Sequence, residues 1–114
     1  MPTASKVFER YAVHWVAFDP ARGSELRKTR PAVIVSLDPL NRALETVVVS
    51  PLTGQLHPGW RTRLQVKAGG KKSEVAADQI RVVSKDRLGR RLGFLSTRDA
   101  AALRRLLSEM YGDG

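Results

Sequence analysis

The 114-residue chain has no cysteine, so neither a disulfide framework nor a thiolate metal cluster is available to it. It also lacks long apolar runs: no segment reaches membrane-spanning length, and the first nine residues lack the apolar stretch of a secretory signal peptide. These absences predict a soluble, cytoplasmic protein with no membrane partner. The length predicts one domain, residues 1–114, with a thin core.

Negative charge is scarce, whereas positive charge is abundant. Twenty lysines and arginines against 11 acidic residues give a net charge of +9. The excess is concentrated in residues 22–30, 60–72 and 81–105, with net charges of +3, +5 and +6. A basic surface of this strength favours polyanions such as nucleic acid, although a soluble basic domain without such a partner remains an alternative.

Short runs of β-branched and apolar residues predict strands along most of the chain. We expect an alternating strand at 62–67, with Thr62, Leu64 and Val66 facing inward and Arg63, Gln65 and Lys67 facing outward. Gly69-Gly70 ends it. The segments 19–29 and 37–45 are predicted as a loop and a turn. The predicted strands cover 12–18, 32–36, 46–50, 62–67, 80–84 and 93–95.

The C-terminal part changes from strand to helical periodicity. Ser96 and Asp99 have the spacing of a capping box, and Gly112 is suited to ending a helix. The sequence therefore predicts a mainly β (α+β) fold, a small barrel of five to six short strands with an amphipathic C-terminal helix. The expected inward-facing helix residues are Leu103, Leu106, Leu107 and Met110.

One edge of the predicted sheet gathers groups suited to phosphodiester chemistry. An antiparallel hairpin of 32–36 with 46–50 would pair residue 36 with 46 and 32 with 50, which brings Arg30 and Thr53 to the same edge. Strict alternation would place them on opposite faces, but we expect Pro51 to interrupt the ladder. Arg30 could hold a phosphate and Thr53 could stabilise an oxyanion. Without further information, the interpretation of Arg30 as an ordinary strand-edge cation and Thr53 as a turn residue is favoured.

Other candidates are weaker. We expect His14 to be structural and His57 to be a loop residue, because no spacing brings the two together. Trp60, beside Arg61, could stack on a base or anchor the start of a strand. The carboxylates are scattered without metal-ligand spacing, so we expect no metal and no cofactor.

Three motifs, in order, resemble the MazF/PemK/Kid toxins over residues 11–110. The first is Trp15-Val-Ala-Phe-Asp-Pro-Ala-Arg-Gly-Ser-Glu25 followed by Arg30-Pro-Ala-Val-Ile-Val-Ser36. The second is Val47-Val-Val-Ser-Pro-Leu-Thr53; the third is Asp78-Gln-Ile-Arg81 with Asp86-Arg-Leu88. One departure is Tyr11-Ala12, where many relatives have Gly-Asp; residues 1–10 are expected to be an N-terminal extension.

The resemblance implies an SH3-like barrel of the CcdB/PemK type that works as a homodimer. It implies a toxin–antitoxin toxin that cuts single-stranded RNA, often mRNA, at short sequences without a metal and leaves 2′,3′-cyclic phosphate and 5′-hydroxyl ends. It also implies a cognate acidic antitoxin, with operator DNA bound only through that antitoxin.

Carried over position by position, the resemblance assigns the catalytic roles to Arg30 and Thr53, with Glu25 as a third candidate. The loop before Arg30 would help to shape the RNA groove. Two alternatives remain: a CcdB-like gyrase-poisoning toxin without nuclease activity, and a non-catalytic SH3-like RNA-binding module. The residues that we assign to RNA binding are Arg22, Arg27, Lys28, Ser36, Trp60 and Arg61.

Overall fold

The computed structural model describes residues 7–18 and 29–112. Two helices and seven strands form the framework of these residues, with single 3-10 turns before and after β6. The elements are β1 (Ala12–Ala17), β2 (Thr29–Ile34), α1 (Asp38–Ala43), β3 (Thr46–Thr53), β4 (Arg63–Ala68), β5 (Lys71–Ala76), β6 (Arg81–Ser84), β7 (Leu88–Phe94) and α2 (Thr97–Tyr111).

The strands form one curled antiparallel sheet in the order β4-β5-β3-β2-β1-β7, with β6 also paired to β3. Strand β3 is central, because it pairs with β2 on one side and with β6 and then β5 on the other. Where β3 changes partner, the buried Ser50 hydroxyl donates to the carbonyl oxygen of Ala76, 2.8 Å away. The expected mainly β fold with a C-terminal helix is confirmed.

Apolar side chains cover both faces of the sheet and form two cores. Ile34 and Val49 are fully buried in the first core, and Val33 and Val75 in the second. Helix α2 closes the second core with the fully buried Leu103 and with Leu106, Leu107 and Met110 packed beside it. The helix has the expected ends: Ser96 Oγ accepts from the Asp99 N–H, and Gly112 is the C-cap residue.

The predicted hairpin register is wrong by one residue. Val33 lies opposite Ser50 and Ala32 opposite Pro51, so residue 32 does not face residue 50. Strand β3 continues to Thr53, but its ladder with β2 ends at the pair of Ala32 and Pro51, as expected. With the observed register, alternation along each strand places Arg30 and Thr53 on the same face, whereas the predicted register would have placed them on opposite faces.

Other differences from the sequence prediction have local causes. The predicted turn 37–45 contains helix α1, which begins with Asp38 and Pro39, residues suited to a first helical turn. Strand β5 was not predicted, because its first half, Lys71-Lys-Ser73, is polar. The last strand is longer than 93–95 and starts at Leu88. Residues 19–28 of the predicted loop lie outside the described residues, and Thr29 already belongs to β2.

Tyr11 occupies the left-handed region of the backbone, with φ of 69°. This conformation disfavours bulky residues and favours glycine. Tyr11 is held there because its N–H donates to Ile34 at 2.7 Å and its carbonyl accepts from Leu95 at 3.0 Å. The geometry gives a physical reason for a Gly at this position in many relatives, where this chain has Tyr11.

Candidate functional site

Four polar residues form a row across one face of the sheet, one from each of four neighbouring strands. Thr53 on β3 lies opposite Glu74 on β5, and Glu74 lies opposite Gln65 on β4. Ala32 of β2 lies opposite Pro51, and Arg30 and Thr53 each lie two residues further along their strands, where alternation returns the side chain to the face of that pair. Directly opposed residues of antiparallel strands share a face. The row therefore runs Arg30, Thr53, Glu74, Gln65.

Arg30 lies at the exposed start of β2, opposite Val16 of β1. Pro31 follows it and restricts its backbone to an extended conformation. Among the residues that the structure describes, no carboxylate forms an ion pair with the Arg30 guanidinium. This permanently charged fork therefore has no anionic partner within the described part of the chain, and its geometry suits a phosphate or carboxylate.

Thr53 is half-buried at the end of β3, and its hydroxyl has a defined orientation. The backbone N–H of Gln55 donates to Thr53 Oγ1 over 3.1 Å. Because this contact uses an oxygen lone pair, the hydroxyl proton is free to be donated to a ligand. A hydroxyl donor beside a guanidinium is an arrangement that suits a phosphate oxygen.

Glu74 is fully buried, and its carboxylate accepts four hydrogen bonds. Oε1 accepts from the His57 backbone N–H and from Gln65 Nε2, the latter at 2.7 Å. Oε2 accepts from Arg63 Nη1 at 2.7 Å and contacts His57 Nδ1 at 2.9 Å. Burial by itself would raise the pKa of Glu74, but the hydrogen bonds from His57, Gln65 and Arg63 outweigh it and lower the pKa from 4.5 to about 2. Glu74 is therefore an anion at neutral pH.

Arg63 joins two carboxylates. Its Nη1 binds Glu74, and its Nε lies 2.8 Å from Asp78 Oδ1. Its side chain is only 7% exposed, so the prediction that Arg63 faces outward is wrong. The hydrogen bonds with Asp78 and Glu74 raise the pKa of Arg63 above its ordinary value. Burial alone would raise the pKa of Asp78, but the Arg63 hydrogen bond lowers it.

His57 and Trp60 belong to a tight turn that contacts Glu74 and Arg63. The carbonyl of His57 accepts from the Trp60 N–H at 2.9 Å, with Pro58 in the second position of the turn, where proline is favoured. The two rings stack with centroids 3.9 Å apart. The Arg63 guanidinium lies 4.8 Å from the Trp60 ring centroid. Trp60 remains 51% exposed, so part of its surface is open to a ligand.

The structure brings some of the predicted residues together and separates others. Arg30 and Thr53 share the row, and Trp60 and the exposed Arg61 lie in the loop that follows Thr53. Ser36 lies beyond the other end of β2, about 20 Å along the chain from Arg30. Its hydroxyl is occupied, because it donates to Asn41 Oδ1 and accepts from the Val48 N–H. The predicted residues Arg22, Glu25, Arg27 and Lys28 lie outside the described residues.

Sequence reasoning missed Glu74 and Arg63 and underestimated His57. His57 lies in a loop, as predicted, but Glu74 contacts both its backbone N–H and its ring. One feature of the sequence could have drawn attention to Glu74: it is the only acidic residue between residues 46 and 77. His14 is buried, with Nδ1 3.0 Å from the Gly89 carbonyl, which confirms its structural role.

Within residues 7–18 and 29–112, no group of three or more histidine or carboxylate side chains is arranged to hold a metal ion. No helix in the same part of the chain is long and apolar enough to span a membrane.

Comparison with known proteins identifies the class. The profile of the family described as "PemK-like, MazF-like toxin of type II toxin-antitoxin system" matches residues 9–111. The protein named endoribonuclease MazF from Staphylococcus saprophyticus is 30% identical over 95 residues, covering 79% of each chain.

Solved structures share the fold. A mycobacterial endoribonuclease in complex with its cognate antitoxin superimposes with a TM-score of 0.77 at 24% identity, over 93% of this chain and 96% of that one. The MazE–MazF complex of Deinococcus radiodurans (Form-II) gives a TM-score of 0.81 at 22% identity, over 96% of this chain and 100% of that one. With the family match over nearly the whole chain, this protein belongs to the PemK-like, MazF-like toxins of type II toxin–antitoxin systems.

Proposed function

We propose that this protein is a toxin endoribonuclease that cuts single-stranded RNA, chiefly mRNA, at short sequences and without a metal ion. Its products carry a 2′,3′-cyclic phosphate and a 5′-hydroxyl. The observation that supports this proposal most directly is that Arg30 and Thr53 lie on one face, each two residues beyond the last pair of β2 with β3. The relative named endoribonuclease MazF supports the same activity class.

In this mechanism the ribose 2′-oxygen attacks the adjacent phosphorus, and the 5′-oxygen of the next nucleotide leaves. Negative charge grows on the non-bridging phosphate oxygens as the transition state forms. Arg30 binds these oxygens with two parallel N–H donors, an arrangement that a lysine cannot provide. Its main contribution is electrostatic, because a guanidinium is always protonated in proteins and is therefore a poor proton acceptor.

Thr53 donates its hydroxyl proton to one of the same oxygens. The Gln55 N–H already holds the hydroxyl oxygen in place, so the donor is oriented before the substrate arrives. A donor oriented in advance stabilises the transition state without a further reorganisation cost. The assignment of Glu25 as a third catalytic residue remains a prediction from the sequence.

Trp60 and Arg61 extend the site beyond the scissile phosphate. An exposed indole beside a cation is suited to stacking on a base and neutralising a phosphate. Together with Arg22, Arg27 and Lys28, these residues are proposed to bind the RNA on either side of the cut. Ser36 is the weakest of the RNA-binding assignments, because its hydroxyl already has two protein partners.

We further propose that residues 1–114 act as a single toxin domain in a cytoplasmic homodimer, inhibited by an acidic antitoxin through which operator DNA is bound. Two of the structural relatives are complexes of a toxin with its antitoxin. A net charge of +9 complements an acidic chain as well as it complements RNA. Sedimentation that showed only monomer at micromolar concentration would contradict the homodimer.

The decisive experiment uses a single-stranded RNA oligonucleotide in the presence of EDTA. We expect cleavage with unchanged rate after chelation and a product with a cyclic phosphate end. A single 2′-deoxy substitution immediately 5′ of the scissile phosphate should abolish cleavage while binding persists. Binding without cleavage of the all-ribose RNA would instead indicate a non-catalytic RNA-binding module. Inhibition of gyrase without RNA cleavage would indicate a gyrase-poisoning toxin.

A further inference from the structure

We propose that His57 is a further catalytic residue, the general base that accepts the proton of the attacking 2′-hydroxyl, and that Glu74 is its positioning residue. This inference rests on the proposed ribonuclease function. It assigns a chemical role to a histidine and a buried glutamate that the phosphate-binding pair Arg30 and Thr53 does not use.

The proposed reaction requires a proton acceptor that Arg30 and Thr53 do not supply. Arg30 remains a cation at neutral pH, and the Thr53 hydroxyl acts as a donor. A neutral imidazole is the side chain best suited to accept a proton near pH 7, which is why histidine is the commonest general base.

The contacts of Glu74 fix the tautomer of His57. Nδ1 has two neighbours, Glu74 Oε2 at 2.9 Å and Arg63 Nη1 at 3.4 Å; because an ionised carboxylate has no proton to donate and its contact is the shorter one, we assign the proton to Nδ1. The lone pair of the neutral ring is then on Nε2. Among the described residues, no group hydrogen-bonds to Nε2. In this tautomer the basic nitrogen has no protein partner among the described residues, and the side chain is 23% exposed.

The position of the dyad matches the proposed reaction centre. Glu74 lies directly opposite Thr53, and side chains in such pairs have Cβ atoms about 5 Å apart. His57 follows Thr53 by only four residues, and its backbone N–H is bound to the same carboxylate. The imidazole is thus anchored to the side chain that neighbours the proposed oxyanion donor.

A stacking contact with Trp60 also holds the imidazole ring in place. Trp60 stacks on the imidazole at 3.9 Å and leaves it 23% exposed. The turn from His57 to Trp60 fixes this stacking by its backbone hydrogen bond. A ring with a fixed tautomer, a fixed plane and one open nitrogen meets the geometric requirements of a general base better than a mobile loop histidine.

The proposed step is balanced in atoms and charge. His57 Nε2 takes the proton of the 2′-hydroxyl as the bond from O2′ to phosphorus forms. The bond from phosphorus to O5′ breaks, and the leaving oxygen takes a proton from water. The Glu74 carboxylate stabilises the imidazolium that results, and the imidazolium then returns its proton to solvent.

The test compares His57→Asn with a control in the same loop, Leu56→Ala. The Asn side-chain amide can keep the hydrogen bond to Glu74 but has no basic nitrogen. We expect kcat for RNA cleavage to fall about 10²- to 10⁴-fold in His57→Asn, the usual range for a lost general base, with little change in KM or in melting temperature. Leu56→Ala should retain kcat. Full activity of folded His57→Asn would overturn the proposal.

A second substrate separates a base from an acid. An RNA with sulfur in place of the scissile 5′-bridging oxygen has a leaving group that needs no protonation. If His57 is the base, His57→Asn should remain impaired on this substrate, whereas restored cleavage would assign His57 to the leaving group and overturn the proposal. Wild-type protein inactive on RNA would overturn the ribonuclease function itself, together with this inference.

The role of Glu74 is tested by the pH dependence of kcat/KM in Glu74→Gln. Among the described residues, two charges face the ring: the Glu74 carboxylate from β5, and Arg63 Nη1 from β4, 3.4 Å from Nδ1. Because Glu74→Gln removes the negative one and leaves the positive one, the acidic limb of the profile should move to lower pH. A profile with an unchanged limb would show that Glu74 does not act through His57.

Discussion

Arg63 and Glu74 form an ion pair between neighbouring strands, with 2.7 Å between Arg63 Nη1 and Glu74 Oε2 and almost no exposure of either side chain. Charges are costly to bury, so such a pair is stable only if every donor and acceptor is satisfied. Here Asp78 accepts a hydrogen bond from Nε of the guanidinium, and His57 and Gln65 form the further hydrogen bonds of the Glu74 carboxylate. The pair therefore ties β4 and β5 to the loop that carries His57.

Arg63→Met should strongly destabilise the fold. The substitution keeps an unbranched side chain but leaves the Glu74 charge buried without its cation, a loss of about 3–5 kcal/mol in the free energy of unfolding. Urea unfolding measures it. Arg61→Met, two residues away and exposed, is the matched control and should change stability by less than about 0.5 kcal/mol. Equal effects of the two variants would mean that the buried pair has no special role.

Stability should fall in acid because of Glu74. Its pKa is lowered from 4.5 to about 2 in the folded protein, so its contribution is complete above pH 4.5 and is lost as pH falls towards 2. The free energy of unfolding of the wild type should therefore decline more steeply between pH 4.5 and 2 than that of Glu74→Gln. Asp78 contributes to the pH dependence of the free energy of unfolding in both proteins. Parallel curves for the two proteins would contradict the lowered pKa.

Arg30→Ala should reduce RNA cleavage about a hundred- to a thousandfold, because it removes a charged donor that acts most strongly in the transition state. RNA affinity should change much less. Arg30→Lys should recover little, since an ammonium cannot form two parallel hydrogen bonds. Single-turnover kinetics with each variant measure the effect. A folded Arg30→Ala enzyme with full activity would refute the proposed phosphate clamp.

Thr53 offers a cleaner comparison, because two replacements separate the hydroxyl from the shape of the side chain. Thr53→Val keeps the branched shape and loses the donor, so cleavage should fall sharply. Thr53→Ser keeps the donor and should retain partial activity. Initial rates on the same oligonucleotide decide between them. A valine variant as active as the serine variant would show that the hydroxyl is not used.

The proposed antitoxin should compete with RNA. An acidic segment that folds on the basic surface would occupy the same groove as the polyanionic substrate. Titrating the cognate antitoxin into toxin bound to a fluorescent, uncleavable 2′-deoxy RNA should release the RNA completely. Retention of RNA by a saturated toxin–antitoxin complex would place the two ligands on different surfaces.

The sequence predicted the pieces that depend on local pattern. The apolar run of β3, the capping residue Ser96 and the periodic leucines of α2 are each readable within a few residues. Motif resemblance added Arg30 and Thr53. Their common face depended on a register that differs by one residue from the simplest hairpin, and such a shift changes the face of every side chain.

The network around Glu74 was not predictable in this way. Lys71-Lys-Ser-Glu74 is a polar run that predicts no buried strand, and Arg63 fits the outward position of an alternating strand. Both are buried because each neutralises the other across two strands. This mutual neutralisation depends on how the two strands pair rather than on any local sequence pattern. His57 was missed for the same reason, since its partner lies 17 residues away.

Because each member of the row comes from a different strand, the site depends on strand length as much as on residue identity. A one-residue deletion within β4 or β5 would send Gln65 or Glu74 to the opposite face without altering either residue. An insertion at the exposed Gly69-Gly70 turn, where both glycines have positive φ, leaves the order within each strand intact. Tolerance to insertions and deletions in this protein should therefore be set by whether they fall in strands or in turns.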